Sequence, residues 1–576
     1  MTAAVVWLCV AATFAAGIAV RQWVWESTPT IRFKGDIANG HSWGLWVCTG
    51  AGADPSVSGV PTWGAFFEGY RLAYDRAMIL PEFGRYPLDY APLRLLVMSL
   101  WARWTLARHG GEPDFYWRDA EPLLWFNTVC AAAAAAGAFV LVRHWVRREE
   151  RTSDAPTGSR RPWLRGSVAA VLVWFNPAVL VDAHAWPQWD VWCVPFFLWA
   201  AYAASVGGWL WAGALVLTGS MLKAQIMLAA PVLLVWAVCS GGIRPVVELF
   251  VGFFAAAAVL AAIWLVPSGA AWAWVGSVVV AAGIAWTVGR VPRGVPWRAG
   301  AAAVAVALAW PLVGSFGWDR AAVLIVVWAV ACLPLVLPKH RSGRTGRAWM
   351  AAVVAVCGWG AFGLFDGSVA WARIGFLMPT DARMVMSMGA TNLPNLLDVR
   401  WGWAVDDPVW GPIRWLGMTE PVTVRVALRG AYVVALVLCG AAAAVHARRG
   451  SARVLVALAA PWVLFYALLP QMHDRHLMWA AAVTAIGVGV SLDLAVLHGL
   501  VSLLAFADVY RRLLVRDGTF SPKVAQFLEG ITPDAGWVVL LMALAYLYVA
   551  IRPGPRRRGS APVAGQPLAA RPGAAL

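Results

Sequence analysis

Charge is scarce in this sequence. Asp, Glu, Lys and Arg make up 13% of 576 residues, whereas an ordinary soluble domain carries about a quarter. With 61% hydrophobic residues, the chain has too little polar surface to coat a water-soluble globule. Cysteine pairing is lacking too. The eight cysteines are scattered without a CxxC pair, and only Cys48 falls in an expected loop, which excludes a disulfide framework and a cysteine metal site. Acidic residues are few: 30 against 46 basic ones, for a net charge of +16. In a soluble protein that excess would suggest a nucleic-acid partner. Here the arginines concentrate between apolar runs, where the positive-inside rule accounts for them without nucleic acid. The first apolar run, 3–20, lacks a preceding basic residue and a small-residue cleavage site, which predicts a retained helix instead of a signal peptide. There is no tandem repeat of fixed period.

What is abundant is apolar sequence in runs near the length, about 20 residues, that crosses a bilayer as a helix. The runs fall at 4–23, 121–143, 166–181, 191–206, 209–222, 225–240, 245–266, 270–289, 299–317, 320–337, 347–366, 426–446, 452–469, 476–491, 493–507 and 535–552. The stretches 131–142 and 246–265 do not alternate, so a β-barrel is excluded. The expectation is an all-α polytopic integral membrane protein with a bundle of roughly 13–16 transmembrane helices.

Three basic clusters set the expected orientation: Arg143 to Arg165, Lys339 to Arg347, and Arg552 to Arg558. All three belong on the cytoplasmic side. The long segments 25–120, 367–425 and 508–534 and the short turn 182–190 then lie outside. The apolar stretch 92–106 carries Arg94 and Arg103 and ends at His109-Gly110-Gly111, so it is expected to lie in the outer interface rather than cross. Residues 1–553 form the membrane domain, and 554–576 read as a disordered cytoplasmic tail.

Polar residues gather at a few stations on the expected outer side. The first long loop holds Asp36, Asp89 and Tyr90, and long loops commonly carry function. Between two apolar helices stand Asp182, His184, Gln188 and Asp190. Polar groups near a membrane are costly unless they face protein, water or a substrate, although a solvated turn with interfacial tryptophans is the plain alternative. Asp182 with His184 could also seed a metal site. Lys223 and Gln225 interrupt apolar sequence; a buried ammonium needs an anion, and a lipid phosphate suits, unless the lysine snorkels to the interface. Pro470-Gln471-Met472-His473-Asp474-Arg475-His476 places an arginine between histidines, a set suited to phosphate.

These stations, in this order, resemble the GT-C superfamily of membrane glycosyltransferases, especially bacterial polyprenol-phosphate-sugar-dependent mannosyltransferase-like members and the related dolichol-linked glucosyltransferases. Asp89-Tyr90-Ala91-Pro92-Leu93 resembles the Tyr-Pro-Pro-Leu motif, with alanine for the first proline. Gln188-Trp189-Asp190 and Lys223-Ala224-Gln225 resemble the Gln-Trp-Asp and Lys-x-Gln elements, and Asn392-Leu393-Pro394-Asn395 falls in the late outer loop. His473-Asp474-Arg475-His476-Leu477 resembles His-Glu-Arg-Tyr-Leu, with Asp for Glu and His for Tyr.

The resemblance implies that Asp36 is the catalytic base, and that Lys223, Gln225, His473 and Arg475 hold a polyprenyl-phosphate sugar donor. Asp89, Tyr90, Asp182, His184, Gln188 and Asp190 would then orient sugar or acceptor, or hold a divalent cation. The acceptor would be a cell-envelope glycan, lipid or protein, met at the outer face of the plasma membrane. Two rival readings remain: a transporter or flippase of a lipid-linked or sugar substrate, with a midplane site and internal repeats, and a non-catalytic membrane scaffold.

Overall fold

The computed structural model describes residues 3–28, 34–49, 60–77, 88, 90–109, 119–152, 160–240, 243–265, 373–377, 389–412, 420–516 and 518–553. It is 83% helical. Among the described residues, six runs are long and apolar enough to cross a membrane: Leu8–Ser27, Glu121–Thr152, Arg161–Ala185, Val424–Arg448, Asp493–Val515 and Pro522–Ile551. Their flanks leave large apolar side chains bare, among them Trp125, Leu503 and Leu541 at 56%, 61% and 65% exposure, as lipid-facing surfaces do and soluble surfaces rarely do.

The helices are α1 (Ala3–Ser27), α2 (Lys34–Thr49), α3 (Trp63–Ala77), α4 (Pro92–His109), α5 (Glu121–Thr152), α6 (Arg161–Trp174), α7 (Pro177–Leu180), α8 (Cys193–Ser205), α9 (Trp209–Leu222), α10 (Ile226–Ala229), α11 (Pro231–Cys239) and α12 (Ile243–Leu265). After the central stretch come α13 (Leu393–Trp401), α14 (Val424–Arg448), α15 (Val454–Leu468), α16 (Leu477–Val488), α17 (Leu492–Arg516) and α18 (Pro522–Ile551). A short antiparallel pair, β1 (Pro408–Trp410) and β2 (Val422–Thr423), leads into α14.

Helix α15 is buried along its whole length and nearly all of α16 is buried with it, so this apolar pair is the post around which the bundle packs. Close approach elsewhere depends on small residues. A Cβ at Gly213 would meet Leu249 O at 1.8 Å, and one at Gly252 would meet Leu210 O at 1.7 Å. The two glycines let α9 and α12 touch backbone to backbone.

The bundle has two chemically distinct ends. At one end Arg165 donates to Gly489 O at 2.6 Å, Ser451 Oγ to Glu149 at 3.3 Å, and Arg453 to Arg552 O at 3.0 Å. These bonds tie the start of α6 to the end of α16, α5 to the turn after α14, and the start of α15 to the end of α18. At the other end lie the turn 181–192, Lys223 and the turn 470–476, joined by the contacts described below.

Several sequence expectations need correction. Helix α5 runs to Thr152, so Arg143, Arg147, Arg148 and Arg151 ride on helix and not in a loop; arginine is a good helix former, and hydropathy alone ends the helix too early. The expected loop 508–534 is largely helical, because α17 continues to Arg516 and α18 starts at Pro522, with 518–521 outside the helices. The segment 25–120 contains α2, α3 and α4, and Cys48 is buried on α2 instead of lying in a loop. The stretch 92–106 is indeed helix, α4, and it packs on α2, where a Cβ at Gly44 would meet Met98 O at 2.3 Å. The runs 270–289, 299–317, 320–337 and 347–366, the cluster Lys339 to Arg347 and the tail 554–576 lie outside the described residues.

Candidate functional site

The site grows from a break in α6. Asn176 stops the helix and caps the next turn, its side chain accepting from Ala178 N at 3.1 Å and Val179 N at 3.4 Å with Pro177 at the first helical position, the arrangement expected of an Asn-Pro start. The chain then widens into a π-turn, Val181–Ala185, and bends through Trp186-Pro187-Gln188 to Asp190. Asn127 of α5 holds this bend from behind. Its Nδ2 donates to Ala183 O at 2.7 Å and Gln188 O at 2.8 Å, while Trp192 Nε1 donates to its Oδ1 at 2.5 Å.

Asp190 is wholly buried and ion-paired to two cations from distant parts of the chain. Lys223, at the C-terminus of α9, pairs with Oδ1, and Arg475 Nε lies 3.1 Å from Oδ2. Burial alone would raise the Asp190 carboxyl, but Lys223, then Arg475 and His476, overcome it and hold the group well below the usual carboxylate range. Trp479 closes the floor: its Nε1 donates to Asp190 O at 2.6 Å, and Lys223 Nζ sits 5.6 Å from its ring centroid. His476 stacks on Trp479 at 4.5 Å, and burial pushes its imidazole well below its ordinary pKa. Arg475 also lies 5.2 Å from the Trp186 ring. Two cations thus share one buried carboxylate beside Trp186 and Trp479.

A second layer fixes the 470–476 turn. Gln471 adopts a left-handed backbone with φ 66°, uncommon for a residue other than glycine. Arg512 of α17 pairs with Asp474 at 3.2 Å, and Gly389 forms an isolated bridge with His473. Beneath, Thr391 bonds Asp508, and Tyr466 donates to the same carboxylate at 3.1 Å. Asn392 reaches Tyr466 O at 3.1 Å. The late segment 389–395, α15 and α17 are therefore tied directly to the turn that presents Arg475.

On the opposite wall Trp189 packs edge-on to Tyr90 at 5.4 Å, Tyr90 meets Trp43 at 4.3 Å, and Arg94 stacks over Tyr90 at 3.2 Å and Trp189 at 4.3 Å. A Cβ on Gly40 of α2 would lie 3.2 Å from Trp189. Asp36 stands four positions before Gly40 on the same helix.

Of the sequence candidates, the structure joins Asp190, Lys223 and Arg475 directly. Gln188, Asp182 and His184 form the supporting bend, with Gln188 N donating to Asp182 O at 2.9 Å and His184 Nε2 within 3.1 Å of Thr128. Tyr90 joins through Trp189, and His473 through its ring contact with His476 at 5.4 Å. Gln225 is half-buried at the start of α10. The side chain of Asp36 and the whole of Asp89 lie outside the described residues. Among the described residues no group of three or more His, Cys, Asp or Glu is arranged to hold a metal ion, so Asp182 and His184 find no third ligand there.

Sequence reasoning missed Asn127, Trp479, Asp508 and Arg512. For the first three the signal was a polar or amphipathic residue inside an apolar helix, where such residues rarely stand without a partner. No family model and no curated protein matches the chain.

Proposed function

We propose that the chain is a polytopic plasma-membrane glycosyltransferase of the GT-C kind. In this reading it transfers a mannose-like hexose, with inversion, from a polyprenyl phosphate to a cell-envelope acceptor at the extracytoplasmic face. The observation that carries the proposal is the buried pairing of Lys223 and Arg475 on the single carboxylate of Asp190. Two cations beside Trp186 and Trp479 suit a phosphodiester that carries an apolar chain and a sugar ring.

In the proposed mechanism Lys223 and Arg475 hold the donor phosphate. The Asp36 carboxylate takes the proton of the acceptor hydroxyl while its oxygen attacks the anomeric carbon. The bond from that carbon to the phosphate oxygen breaks on the opposite side, and the two cations stabilise the charge gathering on the departing polyprenyl phosphate. Attack opposite the leaving group inverts the centre. Asp190 keeps the two cations charged and in place between turnovers, and Tyr90 and Gln188 would orient sugar hydroxyls.

The test uses purified protein in sealed proteoliposomes with a labelled polyprenyl-phosphate hexose and an added acceptor. Transfer of label to the acceptor supports the proposal. Movement of intact donor between leaflets, with no label on the acceptor, would replace it with the flippase reading. The position of the cluster at one end of the bundle, instead of its middle, favours transfer.

A further inference from the structure

The end of the bundle opposite the Asp190 cluster has no part in the proposed reaction, yet it carries the densest charge in the described chain. Arg147, Arg151, Arg160, Arg448, Arg449 and Arg552 are all exposed there. The bonds from Arg165 to Gly489 O, Ser451 to Glu149 and Arg453 to Arg552 O hold their helix ends side by side. Among the described residues, the carboxylates at this end are Glu149, Glu150, Glu248 and Asp493. Glu149 is turned inward onto Ser451 Oγ and Ala452 N, and Glu248 is paired with Arg244. The arginines therefore outnumber the acids that face outward.

The same end marks a sharp polarity boundary. On α6, Arg160 and Arg161 are followed within one turn by Trp163 and Leu164, exposed at 53% and 66%, and then by exposed Val168 and Val171 on the outer face. Arg143 stacks over Trp163 at 3.8 Å from the ring centroid. A guanidinium layer, a tryptophan beneath it and bare aliphatic side chains below that follow the order of a bilayer leaflet: phosphate, interface, hydrocarbon. A soluble acidic partner would account for the arginines but not for the apolar surface contiguous with them.

We infer that this arginine ring is a binding surface for anionic phospholipid headgroups, drawn from the leaflet in which α5, α6, α14 and α18 end. The inference rests on reading these helices as membrane spans. It goes beyond a topological signal, because a signal acts once at insertion, whereas a binding surface selects lipids in the finished protein. Each guanidinium offers paired donors to phosphate oxygens, and several near a negative surface add their attractions.

The test measures lipid enrichment around purified, folded protein reconstituted into nanodiscs of phosphatidylglycerol and phosphatidylcholine, read by native mass spectrometry of the co-purified lipid. Wild type should enrich phosphatidylglycerol, less so in high salt. The combined variant Arg147→Gln, Arg160→Gln, Arg449→Gln, Arg552→Gln should lose that enrichment by on the order of tenfold, and the four Arg→Lys replacements should retain most of it. Lys523→Gln with Arg429→Gln, at the other end, should change nothing. Equal enrichment in the Gln variant and wild type overturns the inference, as does an equal loss in the control at the other end. Protein that stays in water and enters no nanodisc would instead refute the membrane-span reading on which it rests.

Discussion

At the scale of single residues, the site depends on charges that balance one another out of water. Removing one partner of a buried pair leaves the other uncompensated, which costs about 3–5 kcal/mol. Asp190→Asn is therefore expected to destabilise the protein more than Lys223→Gln with Asp190→Asn together; a thermal-unfolding series in detergent measures the difference, and equal losses would show that the pair is not coupled. His476 gives a pH dependence with a definite sign. Its folded pKa is depressed by burial, so its contribution is present above the unfolded value of about 6.5 and is lost as pH falls below it, while the unfolded chain takes up the proton first. The unfolding midpoint should drop between pH 7 and 5 by more in wild type than in His476→Gln. Identical pH profiles would mean that the imidazole is not buried as described. The sequence shows each of these residues but not their pairing: Asp190 and Lys223 are 33 positions apart, and Arg475 lies far beyond both. Only the fold sets three stretches of chain against one carboxylate.

At the scale of elements, what the sequence makes legible is the apolar length. The runs 191–206, 209–222, 426–446 and 452–469 match α8, α9, α14 and α15 closely, because lipid-length hydrophobicity is a strong signal. The runs 493–507 and 535–552 fall short of α17 and α18 because the missing turns are polar. Arg511 and Arg512 extend α17 to bond Gly389 O and Asp474, and Asp534 on α18 takes a bidentate pair from Arg400. Such turns are stabilised by specific partners that hydropathy cannot register. Ser521-Pro522 is a readable start signal, proline standing at the first helical position. Contact between α9 and α12 depends on Gly213 and Gly252 in the same way. Gly252→Leu should force the backbones apart and lower stability by about 1–3 kcal/mol, read as the shift in unfolding midpoint, whereas Val251→Leu nearby should cost less. A neutral Gly252→Leu would mean that the helices do not approach this closely.

At the scale of the whole molecule, the two ends of the bundle differ in kind: one gathers arginines and the other gathers the paired site. The account expects them on opposite sides of a membrane. Single cysteines introduced in a background without accessible thiols, at Ser451 and near the C-terminus, should label from one side of intact cells or sealed vesicles, and cysteines at Asp407 and Gly518 from the other. Labelling of Ser451 and Asp407 from the same side would break the two-ended arrangement.

The site would then face the side on which α2 carries Asp36. The reading that Asp36 serves as the base is what separates glycosyl transfer from mere binding of a lipid phosphate. The most direct measurement is single-turnover transfer of labelled hexose from polyprenyl phosphate by wild type and Asp36→Asn, with donor binding recorded on the same samples. Asparagine keeps the shape but cannot accept the proton. The account predicts a loss of transfer on the order of a hundredfold or more with donor binding preserved, while Arg475→Gln weakens binding itself by roughly tenfold to a hundredfold. Full transfer by Asp36→Asn, or wild-type protein that binds donor and never transfers its sugar, would contradict it.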